Sequence, residues 1–285
     1  MSLPHTGDAR ALGPQLGAGR EADVYGYGDA AVLKLYRPGF GGHRNETTAL
    51  RSLDGHGVAP KLVEVVDCDG RTGLVVERLA GPDMLTHLRR RPWHVYAVAR
   101  SLAEAHLAVH GVQAPAELAD LREVLAARVR DAALPQHLLD FATRLLDGLP
   151  DGDRLCHGDY HPGNVLHAQD RTTVIDWGAA TRGVAEADHA RTLLLLRWAD
   201  PLPSTPLLSR ALIATGRSLL ADAYGRAYRR DSPPLRHTRS WLVVHAAARL
   251  SEGIPAEQDM LIGRLERALR NGPPERLSGA PVTPS

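Results

Sequence analysis

The stretch from Leu155 to Gly178 constrains this chain more than any other. It reads Leu-Cys-His-Gly-Asp-Tyr-His-Pro-Gly-Asn-Val-Leu, then His-Ala-Gln-Asp-Arg-Thr-Thr, then Val-Ile-Asp-Trp-Gly. Val165-Leu166 and Thr173-Val174-Ile175 predict two short strands, and the polar Gln169-Asp170-Arg171 between them predicts a turn. An antiparallel hairpin holds its partners about 5 Å apart. Asn164 entering the hairpin and Asp176 leaving it are therefore expected to face each other across a gap that fits a divalent ion. Asp159 lies on the loop just before, close enough to act on whatever that ion holds. The plain alternative is a solvated polar loop beside an ordinary hairpin.

This arrangement resembles the catalytic core of the protein-kinase-like fold. There a catalytic-loop Asp accepts the substrate hydroxyl proton, an Asn binds metal, and an Asp after a hairpin binds metal again. The wording here is His157-Gly158-Asp159-x-His161-x-x-Asn164, then Ile175-Asp176-Trp177. It looks like the aminoglycoside phosphotransferase and choline-kinase-like branch, which phosphorylates small molecules. Several spaced positions agree at once, which weighs against the plain alternative. A protein kinase is disfavoured, because the chain has no Asp-Phe-Gly and no Ala-Pro-Glu. The resemblance implies an α+β, two-lobed fold. Residues 1–80 would be a nucleotide-binding lobe, a five-stranded antiparallel sheet with one helix. Residues 81–285 would be a larger, mainly helical lobe with the catalytic loop, the metal-binding hairpin and an acceptor-binding region.

Composition sharpens the N-terminal part. Of 34 Lys+Arg, only Lys34 and Lys61 are lysines. Lys34 falls inside the apolar run Ala31–Tyr36, where a lysine is unfavourable unless paired. By the resemblance it contacts the α- and β-phosphates of ATP. Its expected partner is Glu46, which shares a helical face with Leu50 and Leu53. A snorkelling lysine and a solvated glutamate are the alternative. Upstream, Gly17 and Gly19 flank a turn before a strand beginning at Val24-Tyr25. This resembles a kinase glycine-rich loop with Ala22 in place of the third glycine, although taken alone a plain β-turn is the default reading. Lys61–Asp67 and Thr72–Leu79 read as strands around Asp69-Gly70-Arg71. The second ends in what the family uses as the hinge, where main chain near Glu77 and Leu79 would meet adenine and Val24 and Val32 would sandwich it. An ordinary strand end before Gly81-Pro82 fits as well.

Beyond Trp93 the pattern is helical, with a break expected near Pro135. His106 and His110 are four apart, but no third ligand stands nearby in sequence, which favours packing over metal. Gly183, Asp188 and the apolar helix after them also resemble the family, where that Asp braces the catalytic loop. Residues 207–230 and 239–270 predict two further helices. The first eleven residues and the tail 271–285 are expected to be loose or disordered.

The formal charge of +1 argues against nucleic acid or membrane partners. No apolar h-region opens the chain and no apolar run is long enough to span a bilayer, so a cytoplasmic protein is expected. Cys68 and Cys156 read as two reduced thiols. Together these features point to transfer of the γ-phosphoryl of ATP, with GTP as the alternative donor, to a hydroxyl of a small molecule. Asp159 would act as catalytic base, and Asn164 and Asp176 would hold Mg²⁺. The acceptor is open: residues 179–285 carry ten acids and fifteen arginines (10 − 15 = −5), no acidic excess for a polycationic aminoglycoside. Amino alcohols, sugars and macrolides are the other classes considered. Oligomeric state is not indicated. The competing hypothesis is a non-catalytic nucleotide- or partner-binding module on the same fold, which predicts a damaged catalytic set.

Overall fold

The computed structural model describes residues 12–168, 171–198 and 207–272. The expected tails at 1–11 and beyond Gly272, and Gln169-Asp170 of the expected turn, lie outside the described residues. The chain divides into two compact units, Met1–Ala119 with Arg154–Arg182, and Asp120–Asp153 with Gly183–Ser285.

The first unit opens with an antiparallel sheet of five strands. They are β1 (Leu12–Ala18), β2 (Ala22–Tyr27), β3 (Ala31–Tyr36), β4 (Leu62–Cys68) and β5 (Arg71–Glu77), in spatial order β1-β2-β3-β5-β4. Alternation along β3 puts Leu33 and Leu35 into one apolar cluster with Ala31 and Val75, and leaves Lys34 and Tyr36 on the opposite face. Helix α1 (Gly42–Ser52) packs against β4 and β5, burying Glu46, Ala49 and Leu50. The β4–β5 hairpin turns on two residues with positive φ, Asp69 (55°) and Gly70 (77°), a two-residue connection suited to strand twist. Arg71 thus belongs to β5, and the strand stops at Glu77, short of Leu79. Gly17 lies within β1, and the turn itself is Gly19-Arg20-Glu21, closed by the Gly19 N–H donating to the Ala22 carbonyl at 2.8 Å.

Two helices follow, α2 (Met84–Arg90) and α3 (Val95–His110). Helix α2 is not anticipated from the sequence; it is capped by Asp83, whose side chain accepts the Thr86 N–H at 2.8 Å. His106 is buried and stacks on Tyr160, ring centroids 3.8 Å apart, with His110 beside it at 4.0 Å. Strand β6 (Arg154–Cys156) then leads into the central stretch, with β7 (Val165–Ala168), β8 (Arg171–Val174) and, past it, β9 (Thr181–Gly183). β7 and β8 pair with Val165 opposite Val174 and Ala168 opposite Arg171. The connection is thus two residues long rather than three. Asn164 consequently meets Ile175, whose N–H donates to the Asn164 carbonyl at 2.9 Å, and Asp176 stands one residue beyond.

The second unit is helical: α4 (Leu121–Asp131), α5 (Gln136–Asp147), α6 (Ala185–Trp198), α7 (Leu207–Asp231), α8 (Thr238–Arg249) and α9 (Pro255–Arg270). The break at Pro135 falls as expected. The single helix expected over 239–270 is two, because Gly253 takes a left-handed backbone (φ 66°) and Pro255 starts afresh at the next first turn. α8 is the axis of this unit, packed against α4, α5, α6 and α9, with Trp241 and Val244 fully buried. Among the described residues, no helix is long and apolar enough to cross a membrane.

Candidate active site

Every catalytic, nucleotide-binding and metal-binding residue expected from the sequence belongs to the first unit, whereas Asp188, expected as a brace, belongs to the second. The loop formed by residues 157–164 is shaped by backbone constraints. Gly158 has φ 79°, and a Cβ there would strike the Ala179 carbonyl, so the position admits only glycine. The Asp159 N–H donates to His157 Nδ1 at 3.2 Å. That acceptor role puts the ring proton on Nε2, which donates to the Ile175 carbonyl at 3.0 Å. His157 is fully buried, packed on Trp177 and Tyr160. One imidazole therefore ties the residue before Asp176 to the amide of Asp159. Downstream, His161 Nδ1 accepts the Gly163 N–H at 3.0 Å and caps the short turn Pro162–Asn164. Its Nε2 lies 3.7 Å from Asp159 Oδ2. Asn164 donates from Nδ2 to the Asp159 carbonyl at 3.0 Å and lies 3.5 Å from its Oδ2.

A second cluster gathers around Lys34. Its ammonium donates to Glu46 Oε2 at 2.6 Å and to Asp176 Oδ1 at 2.8 Å. The Tyr36 hydroxyl donates to the same Glu46 oxygen. Burial disfavours the Lys34 ammonium, but the carboxylates of Glu46 and Asp176 outweigh it and hold its pKa above the ordinary lysine value. Burial, and then Glu46, push the Tyr36 hydroxyl far above its ordinary range, so it remains a donor at any working pH. Asp176 has a left-handed backbone (φ 67°), uncommon for a non-glycine residue. Asn45 Nδ2 donates to the Gly178 carbonyl at 3.2 Å, joining α1 to the segment after Asp176.

The structure thus brings Lys34, Glu46 and Asp176 into direct contact, brings Asp159 and Asn164 into direct contact, and links the two sets through Ile175. Gly17, Val24 and Lys34 form one row across β1, β2 and β3, and Val32 shares the face of Lys34 two residues away. Glu77 is engaged elsewhere: its carboxylate takes Arg171 at 2.8 Å and its N–H donates to the Lys61 carbonyl at 2.9 Å. Leu79 lies outside the strand, half-buried. Tyr36, Asn45 and Arg171 carry no motif signal. The only hint in the sequence is that Tyr36 is two residues from Lys34 and so shares its face. As a donor set, the Asn164 amide oxygen and the Asp176 carboxylate offer hard oxygen ligands of the kind magnesium and calcium take. Asn164 turns its NH₂ to Asp159, which leaves the amide oxygen for such an ion.

Residues 13–242 match the model of a family described as the phosphotransferase enzyme family. A hydroxyurea phosphotransferase of Kitasatospora aureofaciens is 37% identical over 153 residues, 49% of this chain and 42% of the relative. The chain thus matches under half the length of that curated relative. Among solved structures, aminoglycoside phosphotransferase APH(4)-Ia in ternary complex with AMP-PNP and hygromycin B has a TM-score of 0.63 at 16% identity, covering 92% of this chain and 94% of that one. A choline/ethanolamine kinase family protein from Mesorhizobium loti gives 0.61 at 19%, covering 92% and 89%. Amicoumacin kinase hAmiN, in complex with AMP-PNP, Ca²⁺ and amicoumacin, gives 0.61 at 17%, covering 94% and 93%. These likenesses show the fold, which is α+β and protein-kinase-like.

Proposed function

The chain belongs to the phosphotransferase enzyme family, and from that premise we propose that it moves the γ-phosphoryl group of ATP to a hydroxyl of a small molecule. The observation that carries this reading is the intact set of five polar side chains, Lys34, Glu46, Asp159, Asn164 and Asp176, in two hydrogen-bonded clusters joined through Ile175. A binding module that had lost its chemistry would have no use for all five.

In this reading residues 1–80 are the nucleotide lobe and 81–285 the catalytic and acceptor lobe. Lys34, oriented by Glu46, binds the α- and β-phosphates, with Gly17 and Gly19 above them. Val24 and Val32 flank the adenine. Because the Glu77 N–H is bonded to Lys61, the base edge meets the Glu77 carbonyl and the Leu79 main chain. Asn164 and Asp176 hold Mg²⁺, which when bound offsets phosphate charge. Asp159 orients the acceptor hydroxyl and takes its proton as the oxygen attacks. His157 fixes the Asp159 amide, and the Asn164 side chain fixes its carbonyl, so the carboxylate needs little reorganisation.

The acceptor is a small hydroxyl compound. The named relative adds hydroxyurea, whose N–OH is a phosphorylatable oxygen, to amino alcohols, sugars, macrolides and aminoglycosides. The test is a pair of variants. Asp159→Asn retains Mg·ATP binding and loses ADP formation, and Asp176→Ala loses both. Full turnover in either variant contradicts the assignment.

A further inference from the structure

Lys34 is shared between two carboxylates, and Asp176 cannot serve both the lysine and a metal with the same oxygen. Lys34 Nζ lies 2.6 Å from Glu46 Oε2 and 2.8 Å from Asp176 Oδ1. Something must decide which carboxylate the ammonium follows once Asp176 turns to an ion. Tyr36 is the one further side chain hydrogen-bonded to Glu46 among the described residues. Its hydroxyl donates to the very oxygen that receives Lys34. Its ring lies under the ammonium, 5.3 Å from Nζ to the centroid, a cation–π distance. The edge of His43 packs on the same ring at 5.6 Å. Tyr36 and Glu46 are both buried, so neither water nor a rotamer change readily replaces this bond.

Resting on the phosphotransfer reading, we propose that Tyr36 is a positioning residue for nucleotide binding: its hydroxyl pins the Glu46 carboxylate so that Lys34 stays with Glu46 and presents its ammonium to the phosphates when Asp176 engages the metal. The strand makes this possible without any motif. Residues 34 and 36 of β3 share a face, and α1 carries Glu46 across that face. Tyr36 acts through Glu46 and Lys34 and does not touch the reacting atoms.

The experiment is equilibrium binding of a magnesium complex of a non-hydrolysable ATP analogue to wild type, Tyr36→Phe, Glu46→Ala and the double variant, with melting temperatures beside it. Phenylalanine keeps the ring contacts and removes only the hydrogen bond. Loss of one bond to a charged group predicts a Kd for Tyr36→Phe raised roughly 10- to 150-fold. At saturating nucleotide, ADP formation changes by less than about threefold, since the reacting groups are untouched. In the Glu46→Ala background, which has no acceptor for the Tyr36 hydroxyl, the same substitution moves Kd by less than about twofold, the signature of two residues acting as one unit. Unchanged affinity in Tyr36→Phe, or an equal loss in both backgrounds, overturns the inference while leaving phosphotransfer standing. Failure of the wild type to bind the analogue overturns the phosphotransfer reading itself, and this inference with it.

Discussion

Asp159 is held from three sides of its backbone. Its amide is taken by His157, its carbonyl by Asn164, and the residue before it is a glycine that no other residue can replace. Its carboxylate stays partly open to solvent, as the proposed role of proton acceptor requires. Asp159→Asn is expected to cut turnover by at least about 10²- to 10⁴-fold, the usual worth of a positioned base. The measurement is ADP formation at saturating nucleotide, with the melting temperature unchanged. Motif spacing pointed to Asp159 and Asn164, and the scarcity of lysine pointed to Lys34 and hence to Glu46 as its partner; the contacts Lys34–Glu46 and Asp159–Asn164 are what the structure adds. Tyr36 and Asn45 were not legible, since a tyrosine ending an apolar strand looks like packing until the helix opposite is in place. A second residue-scale prediction concerns stability. His245 on α8 is buried, with Nε2 donating to the Ala187 carbonyl at 2.9 Å. Burial first, and then Arg191, push its pKa from 6.5 down to about 3. The unfolded chain takes up this proton below about 6.5 and the folded one refuses it. Its contribution is thus complete above that pH and declines as the pH falls toward 3, by up to about 1.4 kcal/mol per unit. His245→Gln, which cannot take up the proton, is expected to lose that part of the acid slope in urea unfolding between pH 7 and 5. An unchanged slope would place the proton elsewhere.

At the scale of elements, the hairpin β7–β8 and the loop before it act as one piece. The Val174 N–H donates to the Val58 carbonyl at 2.8 Å, and Arg171 reaches Glu77 on β5 and the Ala59 carbonyl. The hairpin is thereby anchored to the segment after α1 and to the end of the sheet. Gly158→Ala is expected to destabilise this piece by about 1–3 kcal/mol, the cost of an alanine in a left-handed conformation plus its clash. Circular dichroism melting and ADP formation should fall together in that variant, whereas in Asp159→Asn they separate. The hairpin was legible as two strands with a polar turn. Its register was not, because a two-residue and a three-residue connection fit the same letters and differ by one position in what faces Asn164. The split of α8 from α9 was legible in principle from Gly253 and Pro255, yet the apolar spacing on either side reads through it.

At the scale of the molecule, the family and the fold follow from a short polar grammar spread over the first unit. The acceptor does not. The second unit is made of helices whose apolar faces pack on one another around α8, and such spacing encodes a core without encoding a ligand. The acid count of residues 179–285 gives no bias toward a polycation, and solved structures of this fold are in complex with molecules as different as hygromycin B and amicoumacin. Removing divalent ions with a chelator is expected to abolish ADP formation while leaving the melting temperature within about a degree or two of the untreated protein, since the hydrogen bonds that hold both clusters are made by the chain alone. The most direct test of the central claim is ADP release from Mg·ATP across hydroxyurea, amino alcohols, sugars, macrolides and aminoglycosides, with Asp159→Asn as the blank. The account predicts release that depends on one acceptor class and disappears in the blank. Release that is indifferent to acceptor and equal in the blank, or none with any acceptor from a protein that binds no nucleotide, would contradict it.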